Sequence, residues 1–281
     1  MAQTEASSTP MPRARSGALA VIGRSILDGL QIFGECALLL VATVWHVRSF
    51  IRHREKILTQ LVVIGTQTLG ITALVSLFVG MVMVVQAADQ LANYTQEILG
   101  SLVGLAMTKE LGPVIVGFLV AGKSGSAIAA EIGSMKVYDE ISALRTMDID
   151  PVPFLSMPRF VATTLAIPML ILYSDVIGIA GGALVVAIDP TITISPSQYL
   201  ENLREWINFT DIVVGLFKGM VFGMVVSIVA CAFGFRTSGG SEGVARSTTA
   251  AVVWSFVLII IADFFIVRMA FLFFPSARGG L

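Results

Sequence analysis

Little in this sequence is charged. Asp, Glu, Lys and Arg make up 13% of the 281 residues, against about 25% in a soluble domain. That shortage excludes an ordinary water-soluble fold, and the 56% hydrophobic content and mean hydropathy of +0.86 point to an integral membrane protein. A net charge of -1, with no concentrated basic surface, argues against nucleic-acid binding. Cysteine is nearly absent. Cys36 and Cys231 lie in apolar stretches without C-x-x-C or Cys/His ligand spacing, which argues against a disulfide framework or a zinc site and leaves both as packing residues. The two histidines, His46 and His53, sit in a basic N-terminal stretch. With no HExxH, GxSxG or paired intramembrane Asp motif, an intramembrane enzyme has the weakest support.

Long apolar runs are what the sequence has instead. Five are long enough to cross a hydrocarbon core, which needs about 20 residues, near 61–86, 98–122, 159–187, 211–235 and 249–274. Lys and Arg orient them. Arg13, Arg15, Arg24, Arg48, Arg52, Arg54 and Lys56 precede the first span, and Lys123, Lys136, Arg145 and Arg159 fall between the second and third. Arg236 and Arg246 fall between the fourth and fifth, whereas the 87–97 loop has no such residue and the 188–210 loop only Arg204. By the positive-inside rule the N-terminus and the 123–159 and 236–248 loops are cytoplasmic.

The first 18 residues are rich in Ser, Thr and Pro and read as a disordered tail. No adequate apolar run with a cleavage site follows directly, so a cleaved signal peptide is not expected. From Leu19 the pattern is helical, with Arg24, Asp28, Gln31 and Glu35 on one stripe. This predicts an amphipathic helix within 19–56 lying along the cytoplasmic interface. A sixth span is the rival reading, but it would place the basic 48–56 segment outside.

The second span is chemically unusual. Lys109 and Glu110 fall near its middle and Pro113 follows one turn later. Each charge costs about 3 kcal/mol at mid-bilayer on insertion scales, so such residues normally face a cavity or a partner. Pro113 lacks the N–H that would bond the carbonyl of Lys109, which predicts a kink there. Adjacent helix residues do not face each other, so Lys109 and Glu110 need other partners. Lys218 is the candidate for Glu110, and Asp263 or Asp175 for Lys109. Buried ion pairs that merely fix helix packing remain the structural alternative. Gly215, Gly219 and Gly223 in the fourth span, and Gly178 and Gly182 in the third, follow the small-xxx-small spacing that lets helices approach closely. No repeat relates the two halves, which weakens the case for a repeat-built secondary transporter.

Gly117 to Ser124 satisfies the phosphate-loop pattern G-x-x-x-x-G-K-[ST]. Its four middle residues are apolar and continue a membrane helix, whereas a true phosphate loop follows a strand, so the match is accidental. If ATP drives this protein, another subunit binds it. Within the 123–158 region, Ala127 to Met147 can form one or two short helices, with Val137, Tyr138, Ile141 and Leu144 as an apolar strip and Lys136, Asp139, Glu140 and Arg145 as a polar one. Such an element either docks a cytoplasmic partner or rests on lipid headgroups.

The run KELGPVIVGFLVAGKSGSAIAAEIGSMKVYDEISALRTMDIDP, Lys109 to Pro151, resembles the signature core of the MlaE (YrbE) permeases. Similarity extends over nearly all of residues 20–274, including FVGMVMVVQ in the first span, SMPRF before the third and EGVARSTTAAVV entering the fifth. Lys109 stands where Arg is expected in a well-known relative, and Asp175 where that relative has a small apolar residue. The first difference puts bidentate phosphate or carboxylate recognition in doubt.

This resemblance implies an all-α membrane protein, a single permease domain over 19–281 with five spans, an interfacial N-terminal helix and a cytoplasmic coupling helix. It implies a homodimer in the bacterial inner membrane, partnered by a cytoplasmic ABC ATPase that binds ATP and magnesium, a ring of MCE-domain proteins and a small STAS-type subunit, with no cofactor in this chain itself. Phospholipid would enter a cavity between the subunits near Met83, Leu91, Tyr94, Lys109 and Glu110. Glu131, Gly133, Asp139 and Glu140 match the segment that engages the ATPase. The leading expectation is therefore the permease of an ATP-driven lipid transporter, and the alternative is an ion-coupled carrier using Lys109, Glu110, Asp175 and Asp263 as a relay.

Overall fold

The computed structural model describes residues 18–46, 54–91 and 96–273, and every regular element among them is helical. Helix α1 covers Ala18–His46 and α2 Arg54–Leu91. A long, interrupted helix follows, made of α3 (Leu99–Ala106), α4 (Gly112–Val120) and α5 (Ser126–Val137), joined by π turns at Met107–Leu111 and Ala121–Gly125. Next come the short α6 (Glu140–Thr146), α7 (Met157–Ile188), α8 (Pro196–Trp206), α9 (Phe209–Arg236) and α10 (Gly240–Phe273). The expected tail lies mostly outside the described residues.

Six helical stretches among the described residues are long and apolar enough to cross a membrane: Gly29–His46, Arg54–Leu91, Gln96–Val137, Val152–Ile188, Phe209–Arg236 and Gly240–Ala270. The second to fifth contain the first four expected spans, and Gly240–Ala270 covers all but the last four residues of the expected 249–274. The α1 stretch meets the same criterion of length and composition. On its polar stripe, Glu35 accepts from Gln31 and pairs with Arg236 at 3.0 Å, which ties α1 to the last turn of α9.

Close helix approach follows from small residues. Gly80 of α2 lies against the backbone of Gly178 on α7, and the buried hydroxyls of Ser76 and Ser174 meet at 2.7 Å between the same two helices. Both glycine series read from the sequence serve this packing. A Cβ on Gly223 would sit 2.7 Å from the Cα of Thr164, and one on Gly182 2.6 Å from the Tyr199 hydroxyl. Around these contacts Val116, Ile167, Ile171, Phe222 and Ile259 form a buried core linking α4, α7, α9 and α10.

Two features differ from expectation. The helix of the second span does not stop at residue 122: α5 carries it on to Val137 and packs Ile128, Ala129 and Ile132 against Val229 and Phe233 of α9. Polar-looking AGKSGS misleads by composition: its small side chains allow helix contact, and Lys123 Nζ donates to the carbonyl of Gln67 on α2. The phosphate-loop match is thus a stretch of continuous helix. Just before Pro113, where a kink is expected, a π turn interrupts the helix, and the Gly112 N–H donates to the Met107 carbonyl five residues back. Secondly, the 188–210 loop contains α8. Its Ser195–Gln198 capping box starts the helix, the side chain of Asn202 donates to the Glu97 carbonyl, and Tyr199 is fully buried.

The bundle therefore has two chemically distinct ends. Arg54, Lys56, Lys136, Arg145, Arg159, Arg236 and Arg246 cluster at one, and Gln96, α8 and the start of α9 lie at the other with Arg204.

Candidate functional site

Along α9, Lys218 lies about 14 Å from the α8 end and about 27 Å from Arg236, at 1.5 Å per residue. It is 1% exposed. No cation can be buried so deeply without partners, and Lys218 has three. Its Nζ donates to Glu110 Oε2 at 2.7 Å and to the Lys109 carbonyl at 2.8 Å, while Asp263 Oδ1 of α10 lies 2.9 Å away as an ion-pair contact. The second bond explains how the helix tolerates Pro113. That proline removes the donor for the Lys109 carbonyl, and an ammonium from the neighbouring helix replaces it.

Lys109 points elsewhere. Its Nζ pairs with Asp211 Oδ1 at 3.0 Å, and Asp211 Oδ2 accepts the backbone N–H of Asn208 at the start of α9. The expected pair of Glu110 with Lys218 is present. The expected partners of Lys109 are not: Asp263 belongs to Lys218, and Asp175 has no hydrogen-bonding or charged partner among the described residues, its Oδ1 lying against Gly112 in the space a Cβ would fill. Asp211 escaped the sequence reading because it stands at a span boundary, where an acid in the first helical turn has an ordinary explanation. The available signal was the N-x-x-D spacing of Asn208 and Asp211 ahead of an apolar run.

Three helical segments, the π turn after α3, α9 and α10, thus converge on one polar knot inside an apolar bundle. It is not sealed: the side chains of Glu110 and Lys109 are 47% and 33% exposed. Met83 and Leu91 pack on the buried cluster of Val84, Val103, Met107 and Tyr199, whereas Val82 and Val85 of the same helix are exposed. The exposed apolar face is therefore one step out of register with Met83. Tyr94 lies outside the described residues.

At the basic end, the four expected coupling residues divide into two kinds. Glu131 pairs with the buried Arg159 at 2.8 Å, and Gly133 is buried where a Cβ would meet Thr237 Oγ1 at 2.7 Å, so both hold α5 against its neighbours. Asp139 and Glu140 are exposed at the tip between α5 and α6, where Asp139 adopts a left-handed conformation with φ 57°. Tyr138 is 73% exposed beside them. Among the described residues no group of His, Cys, Asp or Glu is arranged to hold a metal ion.

Comparison with known proteins agrees with this architecture. Residues 57–269 match the family described as Permease MlaE. A probable ABC transporter permease protein of Rickettsia typhi is 34% identical over 252 residues, covering 89% of this chain and 96% of the relative. The intermembrane phospholipid transport system permease protein MlaE of Haemophilus influenzae is 32% identical over 256 residues, 90% of this chain and 97% of the relative. The chloroplastic protein TRIGALACTOSYLDIACYLGLYCEROL 1 of Arabidopsis thaliana is 38% identical over 230 residues, 82% of this chain and 64% of the relative. With a family match spanning most of its length and the same helical bundle expected from the sequence, the chain belongs to the MlaE permease family.

Proposed function

We propose that this protein is the membrane-spanning subunit of an ATP-driven phospholipid transporter, working as a homodimer in the bacterial inner membrane with its N-terminus cytoplasmic. In this reading separate subunits supply the ATPase, with its ATP and magnesium, and an MCE-domain ring, and a small STAS-type protein completes the cytoplasmic side. The observation that carries it is the half-open polar knot. Lys109 and Glu110 stand partly exposed in the half of the bundle remote from the basic end, and α2 separately presents an exposed apolar face that includes Val82 and Val85. A two-chain lipid asks for that combination, an apolar lining with a few polar groups near one end. Lys109 would attract a headgroup phosphate as a point charge. Glu110, anchored to Lys218 on one side only, is free to change partners as the bundle moves.

The exposed tip around Asp139 and Glu140 supports the mechanical half of the reading. α5 is rigidly packed on α9 and α10, so displacement of the tip by a closing ATPase would be transmitted along α5 and through the π turns to the knot. Glu131 and Gly133 would act as the brace of that lever rather than as its contact surface.

Reconstitution with the ATPase and MCE subunits tests the proposal. Glu110→Ala is expected to impair phospholipid transport while leaving assembly intact. Unchanged transport at wild-type expression would remove Glu110 from the mechanism. Purification separates the reading from an ion-coupled carrier: lipid movement by the isolated chain under an ion gradient, without an ATPase, would refute it.

A further inference from the structure

A cavity of about 350 Å³ lies between α1, α9 and α10. Its walls are hydrocarbon, with Ile32, Phe33 and Leu40 from α1 facing Val229 of α9 and Trp254 and Leu258 of α10. Walls without polar groups offer water none of the hydrogen-bond partners that would hold it there. In a bilayer the only abundant filler is an acyl chain. Trp254 also lines a second, shallower groove along α10 with Glu242, Arg246 and Thr249, so the same indole borders both. Their chemistry changes along the path from a polar rim to a hydrocarbon pocket. From Arg246 to the deepest α10 residue, Ala262, the path is about 24 Å at 1.5 Å per residue, close to half of a bilayer about 40–45 Å thick.

From this cavity and the groove that adjoins it at Trp254 we infer a second lipid site, in which a membrane glycerophospholipid places one acyl chain under α1 and its phosphate against Arg246. Charge complementarity fixes the orientation. Arg246 is 78% exposed, held only by Glu242 in the same helix at 2.9 Å, and Arg236 stands at the same end of the bundle. Such a lipid would fill the gap that keeps α1 from packing closely on α9 and α10. It would serve as a fixed structural lipid and not as transported cargo, so the inference does not depend on the transport reading.

The test uses the full chain, purified in detergent and stripped of lipid, with Trp45 and Trp206 replaced by Phe so that Trp254 is the only indole. Phosphatidylglycerol brominated on its acyl chains is expected to quench Trp254 saturably. Gly29→Phe, at a position where a Cβ meets nothing within 4 Å, fills the cavity and is expected to weaken the apparent affinity about tenfold, or 1.4 kcal/mol. Ala37→Leu is the milder second filler, expected to weaken it in the same direction. Arg246→Ala should weaken binding of the phospholipid but not of a brominated fatty alcohol. Quenching that never saturates, or that ignores both fillers, overturns the proposal. So does conversion of a dimer to monomers by Gly29→Phe, which would show that a second copy of the chain occupies the cavity.

Discussion

Lys218 spends all three of its N–H donors inside the bundle: two go to Glu110 and the Lys109 carbonyl, and the third faces Asp263. Removing one member of a buried charged set leaves the others unpaired, which typically costs about 3–5 kcal/mol. Lys218→Met is therefore expected to lower stability by that amount in thermal unfolding of the detergent-purified protein. Arg246→Ala, which breaks an exposed pair, should change it by less than about 1 kcal/mol. Equal effects would show that the knot is not what holds these helices. Tyr199 gives a second prediction. It is fully buried, its hydroxyl has no hydrogen-bond partner among the described residues, and burial pushes its pKa up to about 12 from 10.0. The fold thus favours the neutral phenol, so its contribution is intact below pH 10 and is lost as pH rises towards 12. Tyr199→Phe should match or exceed wild-type stability at pH 8, because an unpartnered hydroxyl is removed. The variant's advantage should grow above pH 10, as read from paired unfolding curves. The partner of Glu110 was legible in the sequence, since a lone Lys in the fourth span needs an acid. The partner of Lys109 was not, because two acids inside spans competed with one at a helix start, and only side-chain reach decided between them.

At the scale of elements, hydrophobic length made the five long helices legible, and their glycine spacing made the close contacts legible. The remainder was hidden for physical reasons. α8 is short and mostly polar, and its stability comes from the cap at Ser195 and from Tyr199 docking under it, neither of which raises a hydropathy signal. The continuation of α4 into α5 was hidden because Gly122, Lys123, Ser124 and Gly125 look like a loop, while in the fold Gly125 and Ser124 are buried. A packing role for small residues predicts opposite signs at two glycines. Gly223→Ala places a Cβ within 2.7 Å of Thr164 backbone, which cannot yield easily, and overpacking of this kind costs about 1–3 kcal/mol. Gly70→Ala on α2 meets nothing within 4 Å, so the better helix propensity of Ala should leave stability unchanged or raise it by up to about 1 kcal/mol. Unfolding temperatures of the two variants in the same detergent check this, and a loss at Gly70 as large as at Gly223 would contradict it.

For the whole molecule, the division of labour lies along the bundle axis. The knot sits towards the α8 end, the exposed tip between α5 and α6 projects at the basic end, and the interrupted helix from Leu99 to Val137 carries Lys109 and Glu110 of the knot and leads directly into the tip. A signal entering at the tip has a direct mechanical path, because α5 is clamped on one side by the Glu131–Arg159 pair and on the other by the contact of Gly133 with Thr237. Exposed side chains at the tip contribute little to the fold, so their replacement should separate docking from folding. Tyr138 and Glu140 offer an aromatic anchor beside a charge, the composition of an interface hot spot. Tyr138→Ala and Glu140→Lys are each expected to weaken capture of the ATPase by about tenfold or more, or 1.4 kcal/mol, in a pull-down with the tagged permease. Thermal unfolding of the isolated permease should not shift. Glu131→Ala should behave in the opposite way, lowering permease stability first and ATPase capture only as a consequence, because it leaves the buried Arg159 guanidinium without its carboxylate. If Glu140→Lys leaves capture intact while Glu131→Ala abolishes it in a fully folded protein, the contact surface lies along α5 and the tip is not the docking element.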